Sequence, residues 1–211
     1  MITIHVGPKR KEYQVHKGLL ASHEYWRKQL DSNLTEDSQT MHLRQERPDI
    51  WDLFVNWLYR GRLKDICVEN KDMAEAQVRQ YMMLYIHAEL WAIPALQNKI
   101  MDKLRAWTTG IWDWYTCDMI GHMYKHNTRG SPLRSYVVDS FLSKSSLWDA
   151  DCENSRRAAQ LKLQLNYGNQ EFVIECYEAL MQLTPKSKLR GPDSKMGCTY
   201  HKHEDGQKCS K

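Results

Sequence analysis

Near the end of this 211-residue chain, Cys198, His201, His203 and Cys209 stand in the spacing Cys-x2-His-x-His-x5-Cys. Thiolates and imidazoles in a set of four are a donor set for tetrahedral zinc, and binding would contribute folding energy to a segment with no core of its own. The spacing is not that of a standard finger. His201 and His203, two positions apart, suit an extended or looped chain better than a helix. The competing reading is a disordered basic tail with stray Cys and His. His16 is the other tempting residue, at a strand-to-helix junction, but no nucleophile or carboxylate in a recognisable motif accompanies it, so its expected role is structural. The sequence holds no Gly-rich phosphate loop, no nucleophile elbow and no His-Glu-x-x-His. Metal-dependent hydrolysis at the tail would lack a general base. The chain is expected not to be an enzyme.

Composition narrows the partners. Hydrophobic residues make up 42% and charged residues 27% of the chain, the balance of a globular protein. The net charge of +4 is concentrated from Pro185 onward, where seven Lys/Arg face three Asp/Glu; the preceding residues hold 23 of each sign. A basic groove for phosphates needs clustered Lys/Arg on a folded face, so nucleic acid is not the expected partner of the body. No apolar run reaches the roughly 18 residues of a membrane-spanning helix, and Met1 to Lys11 lacks the apolar core of a secretory signal. Cys67, Cys117, Cys152 and Cys176 form no disulfide-like framework and are read as reduced core thiols. A cytoplasmic or nuclear protein is expected.

The elements that must position these residues follow from periodicity. Ile2 to Val6 and Tyr13 to Val15 alternate as strands about a turn at Gly7-Pro8, giving a β-hairpin. Two short helices span Lys17 to Leu30, a polar loop runs from Asp31 to Gln39, and Met41 and Leu43 mark a third strand. Pro48 opens a helix whose apolar face is Ile50, Leu53, Phe54, Trp57 and Leu58, with Gly61 ending it. Asp72 is read as the cap of a long helix to about Leu90 that is buried on more than one side over Tyr81 to Ile86. Pro94 opens the second arm of a helical hairpin, with Leu96, Ile100, Met101 and Leu104 inward. Further helices are expected around Trp112 to Tyr124, from Pro132 through Phe141, and from an Asn169 cap through Leu183. Trp57, Trp91 and Trp107 fall on buried faces, and one of Trp112 and Trp114 is left outward. From Thr184-Pro185 onward the composition is that of a flexible linker.

This order of elements resembles the BTB/POZ domain, and three stretches carry the likeness. Tyr13 to Ser22, Tyr-Gln-Val-His-Lys-Gly-Leu-Leu-Ala-Ser, resembles the family's aromatic-x-Val-His-Lys-x-x-Leu-x-x-Ser signature. Leu53 to Leu63 resembles its F-x-x-W-L-Y-x-G helix end, and Ala88 to Asn98 its A-x-x-x-x-I-P-x-L hairpin turn. The chain is further similar to BTB-domain proteins of filamentous fungi, which tend to carry Asn-Thr-x-x-Gly-Ser-Pro-Leu-Arg, seen at Asn127 to Arg134, and to end in Cys-x-Tyr-His-x-His, seen at Cys198 to His203. It departs from the family in reading His-Glu-Tyr-Trp after Ser22, where a Pro or small residue commonly precedes the aromatic pair.

The resemblance implies an α+β protein: a BTB/POZ domain over 1–106 with a small mixed sheet flanked by a helical hairpin cluster, an all-α extension over 107–184, and a flexible basic tail over 185–211. It implies a buried structural role for His16, and Phe54 and Trp57 fall on its core helix. It implies protein partners and the function of an adaptor or scaffold. Leu34 and Glu36 resemble the apolar-x-Glu element through which some BTB domains dock onto a cullin ubiquitin-ligase scaffold, the rival being a plain polar loop. BTB–BTB self-association by strand exchange is less expected, since the sequence starts inside the family's first strand. The alternative function is a nuclear transcription or chromatin regulator whose basic tail contacts nucleic acid.

Overall fold

Alternating burial fixes the sheet. Strand β1 (Ile2–Val6) turns Ile2, Ile4 and Val6 into the core and lies between two neighbours. It pairs antiparallel with β2 (Lys11–Val15), Ile4 opposite Tyr13, and parallel with β3 (Thr40–Leu43), Ile4 opposite Met41, so the order is β2-β1-β3. The computed structural model describes residues 1–34, 39–67, 69–107, 117–144, 169–182, 191–192, 195 and 197–203. The hairpin turn uses Gly7 at φ +74°, against the ring of Pro48.

Helices α1 (Lys17–Ala21) and α2 (Glu24–Asn33) follow the hairpin. The second runs into the stretch Asp31 to Asn33 that the sequence reading gives to a loop. There the Asn33 side-chain amide donates to the Gln29 carbonyl at 2.8 Å and the Leu34 N–H to the Leu30 carbonyl at 3.0 Å, which prolongs the helix by a turn. The helix α3 (Pro48–Arg60) has Pro48 in its first turn and Gly61 at φ +65° as its C-cap. Ile50, Phe54 and Trp57 are buried as expected, Leu53 and Leu58 half-buried, and Trp51, outside the expected face, is fully buried. Trp51 closes an aromatic cluster. Its ring lies 5.3 Å from that of Trp26 and 5.4 Å from Phe54, while Phe54 lies 4.6 Å from Trp91, distances at which tilted aromatic pairs attract.

Helix α4 (Lys71–Leu90) is capped by Asn70, not Asp72. Asn70 is extended and three positions before Met73, whose N–H its side chain accepts at 3.0 Å; Asp72 sits inside the first turn, where it faces the positive end of the dipole. The helix ends with Ala92 at φ +51°, the Ile93 N–H reaching back to the Ala88 carbonyl at 2.9 Å. Helix α5 (Pro94–Trp107) then packs along α4 with Leu96, Ile100, Met101 and Leu104 buried. Val15, Leu20, Phe54, Trp57 and Leu96 share one interior. Trp91 is fully buried, whereas Trp107 is half-buried against that core.

The extension contains α6 (Cys117–His126), α7 (Pro132–Lys144) and α8 (Gln170–Met181), the last capped by the Asn169 side chain. Helix α6 packs on α4 and both α6 and α7 on α8, so the core is continuous from the sheet to Phe172 and Cys176. The stretch Asn127 to Arg134 is where the extension locks. Arg134 is buried, donating to Glu171 at 2.6 Å, to Glu175 at 3.2 Å and to the carbonyls of Tyr124 and Asn127. Trp112, Trp114 and Cys152 lie outside the described residues. No helix among the described residues is long and apolar enough to cross a membrane.

Candidate functional site

Three of the four expected metal donors meet. The Cys198 thiol and the imidazoles of His201 and His203 offer one ligand atom each within 4.8 Å of one another, all three half-buried. The local chain explains the meeting. The His201 N–H closes a turn on the Cys198 carbonyl at 3.0 Å, and His203 follows two residues on in a stretch that is neither helix nor strand, with the two imidazole rings 5.9 Å apart. Cys209 lies outside the described residues. Cys67, Cys176 and Cys198 are thiols rather than disulfides, and burial pushes the Cys176 thiol far above its ordinary range.

The segment holding these donors is seated, although the sequence reading makes it part of a flexible tail. Its anchors come from three helices. From α5, Asn98 makes a two-way amide pair with the Lys202 backbone, donating at 2.9 Å and accepting at 2.8 Å, and Arg105 donates to the carbonyls of Lys195 and Gly197. From α7, Asp139 accepts from both Lys195 and the Tyr200 phenol, each at 2.5 Å. From α4, Glu89 takes the Lys202 ammonium at 2.5 Å. Tyr200 is 1% exposed, its ring edge-on to Tyr136 at 5.7 Å, and burial together with Asp139 drives its phenol far above the ordinary tyrosine range. Lys195 and residues 197–203 thus form a strap that ties the helical hairpin to the extension.

Asp102 is the anchor with chemical meaning. Its carboxylate lies 2.8 Å from Nε2 of His201. Sequence reasoning missed all of these partners, which lie between 56 and 113 positions from the tail residues they hold. One signal was present: Asn98, Asp102 and Arg105 recur at i, i+4 and i+7, a polar stripe on α5 opposite the buried Leu96, Ile100 and Leu104.

The other expected residues are elsewhere. His16 is exposed, not buried, because the chain emerges from the sheet there; its backbone N–H donates to the Tyr59 hydroxyl at 2.9 Å, and that hydroxyl lies 2.8 Å from its Nδ1. Phe54 and Trp57 are in the core. Leu34 ends α2, half-buried against the core, and Glu36 lies outside the described residues.

A BTB/POZ domain family model matches residues 2–106, the span that contains the three-stranded sheet and the α4–α5 hairpin. Residues 2–106 are a BTB/POZ domain. No curated protein matches the chain. The BTB/POZ domain is a protein–protein interaction module and is typically non-enzymatic, and here it is followed by a helical extension.

Proposed function

We propose that this BTB/POZ protein is an adaptor in which the BTB half binds one protein and the helical extension positions another. The strap carries this reading. By bonding to α4, α5 and α7 together, the strap residues 197–203 hold the extension against the BTB domain, as a scaffold that sets the geometry between two partners requires. Thiols at Cys67, Cys176 and Cys198 suit a reducing compartment, cytoplasm or nucleus. Cross-linking mass spectrometry on complexes of the full chain is the test. Cross-links to two different proteins, one on residues 2–106 and the other on 117–182, are expected; a single partner on one half only would count against the adaptor.

The more specific version is a substrate adaptor of a cullin-type ubiquitin ligase, with Leu34 and Glu36 as the docking pair. Its test is a titration of the full chain with a purified cullin. Tight binding lost in Leu34→Ala/Glu36→Ala supports docking, and absent binding, or binding indifferent to the pair, removes it. The tail's described lysines weigh against the nucleic-acid alternative, because Lys195 and Lys202 are neutralised by Asp139 and Glu89 of the body.

A further inference from the structure

We infer that Cys198, His201 and His203 bind a zinc ion that latches the C-terminal strap onto α5. The donor set is one soft thiolate and two imidazoles, which favours zinc over the oxygen-seeking magnesium and calcium. A tetrahedral zinc with bonds of about 2.0–2.3 Å holds its donors about 3.3–3.8 Å apart. The three ligand atoms already lie within 4.8 Å of one another, so side-chain rotation of about 1 Å closes the site.

The second observation is the Asp102 carboxylate 2.8 Å from His201 Nε2. With Nε2 of His201 held by the Asp102 carboxylate, Nδ1 is the nitrogen that would ligate the metal. A carboxylate behind the far nitrogen of a histidine is the arrangement that orients zinc-bound imidazoles and raises their basicity. The backbone between the two histidines is held as well, because Asn98 clamps Lys202 from both sides and Tyr200 is sunk in the core. The donors are therefore preorganised by α5 and α7, and metal binding feeds its free energy into the seating of the strap. This inference does not depend on the adaptor reading.

The test uses the full chain without an affinity tag. Native mass spectrometry and elemental analysis should show one zinc per chain, removed by a chelator. Replacing zinc by cobalt should give tetrahedral ligand-field bands with a thiolate charge-transfer band, absent in Cys198→Ser. Asp102→Asn should keep one metal per chain but weaken its binding about 10- to 100-fold. Hydrogen exchange of residues 197–203 should quicken on chelation while β1 and β3 hold. Wild-type chain that takes up neither zinc nor cobalt overturns the site, as does a charge-transfer band that survives in Cys198→Ser. Exchange in the strap that ignores chelation overturns the latch.

Discussion

The guanidinium of Arg134 stacks 4.2 Å from the centre of the Tyr124 ring, and the phenol of that same tyrosine donates to Glu175 at 2.6 Å, the carboxylate that Arg134 also holds. The triangle sits between α6, α7 and α8. Burial and Glu175 push the Tyr124 phenol far above its ordinary range, so it remains a donor at any physiological pH.

Arg134→Ala strips the half-buried Glu175 of its cation and removes the guanidinium donor from the Tyr124 and Asn127 carbonyls, and losing the buried member of such a pair costs about 3–5 kcal/mol. Arg134→Lys keeps the charge but not the planar fork, and recovers only part of this. Thermal denaturation by circular dichroism measures both. A lysine variant as stable as wild type would show that the fork geometry is idle.

A second prediction concerns pH. His87 donates from Nδ1 to the Met83 carbonyl at 2.8 Å and sets Nε2 3.1 Å from Glu46, an arrangement that needs both nitrogens protonated. Burial lowers its pKa and Arg47 adds to that, but the Glu46 and Met83 hydrogen bonds outweigh them, so the net shift is upward from 6.5. A raised folded value means the stabilisation is complete below about pH 6.5 and is lost as pH rises through the folded pKa. The melting temperature should fall across this window. His87→Gln should flatten that part of the profile, and a profile unchanged by the substitution refutes the assignment.

Three backbone positions separate strain from crowding. Gly61, at φ +65°, has nothing within 4 Å of an added Cβ, so Gly61→Ala bears only the left-handed cost of about 1–2 kcal/mol. Gly7→Ala adds contacts of 3.0 Å with the Pro48 ring and 3.2 Å with the Glu46 carbonyl, and is expected to be the more destabilising of the two. Ala92, at φ +51°, should show the opposite sign: Ala92→Gly relieves strain and gains about 0.5–1 kcal/mol after the unfolded chain's extra freedom is counted. Urea midpoints at constant slope give the ranking, and Gly7→Ala milder than Gly61→Ala would contradict it.

How far the sequence reveals this molecule differs by region. Ile2 to Val6 and Ile50 to Trp57 declare themselves because local period determines which side faces inward. Trp51 escaped because it flanks the expected stripe and is buried only where Trp26 and Trp91 arrive from other elements. Asn70 and Asp72 are both plausible caps, and only the chain's entry angle chooses between them. For the candidate site, donor chemistry was legible in Cys198, His201 and His203, but nothing near them in sequence names Asp102, Asn98 or Asp139. A tail of Lys, Ser and Gly reads as unstructured because its partners are supplied by distant helices, and local composition cannot report them.

The strap itself yields the last prediction. Tyr200→Phe keeps the buried ring but removes the hydrogen bond to Asp139, a loss of about 1.5–3 kcal/mol for a bond to a charged acceptor. Tyr200→Ala also empties the pocket beside Tyr136, adding a cavity term that brings the total to about 3–5 kcal/mol. Because the strap hangs on the body by a few side chains, it should open without global unfolding. Tyr200→Phe should therefore speed amide exchange in residues 197–203 about 10- to 100-fold while β1 and α4 keep wild-type protection. If the sheet and the strap instead accelerate together, the strap is part of one cooperative unit with the BTB domain, and the local-opening picture is wrong.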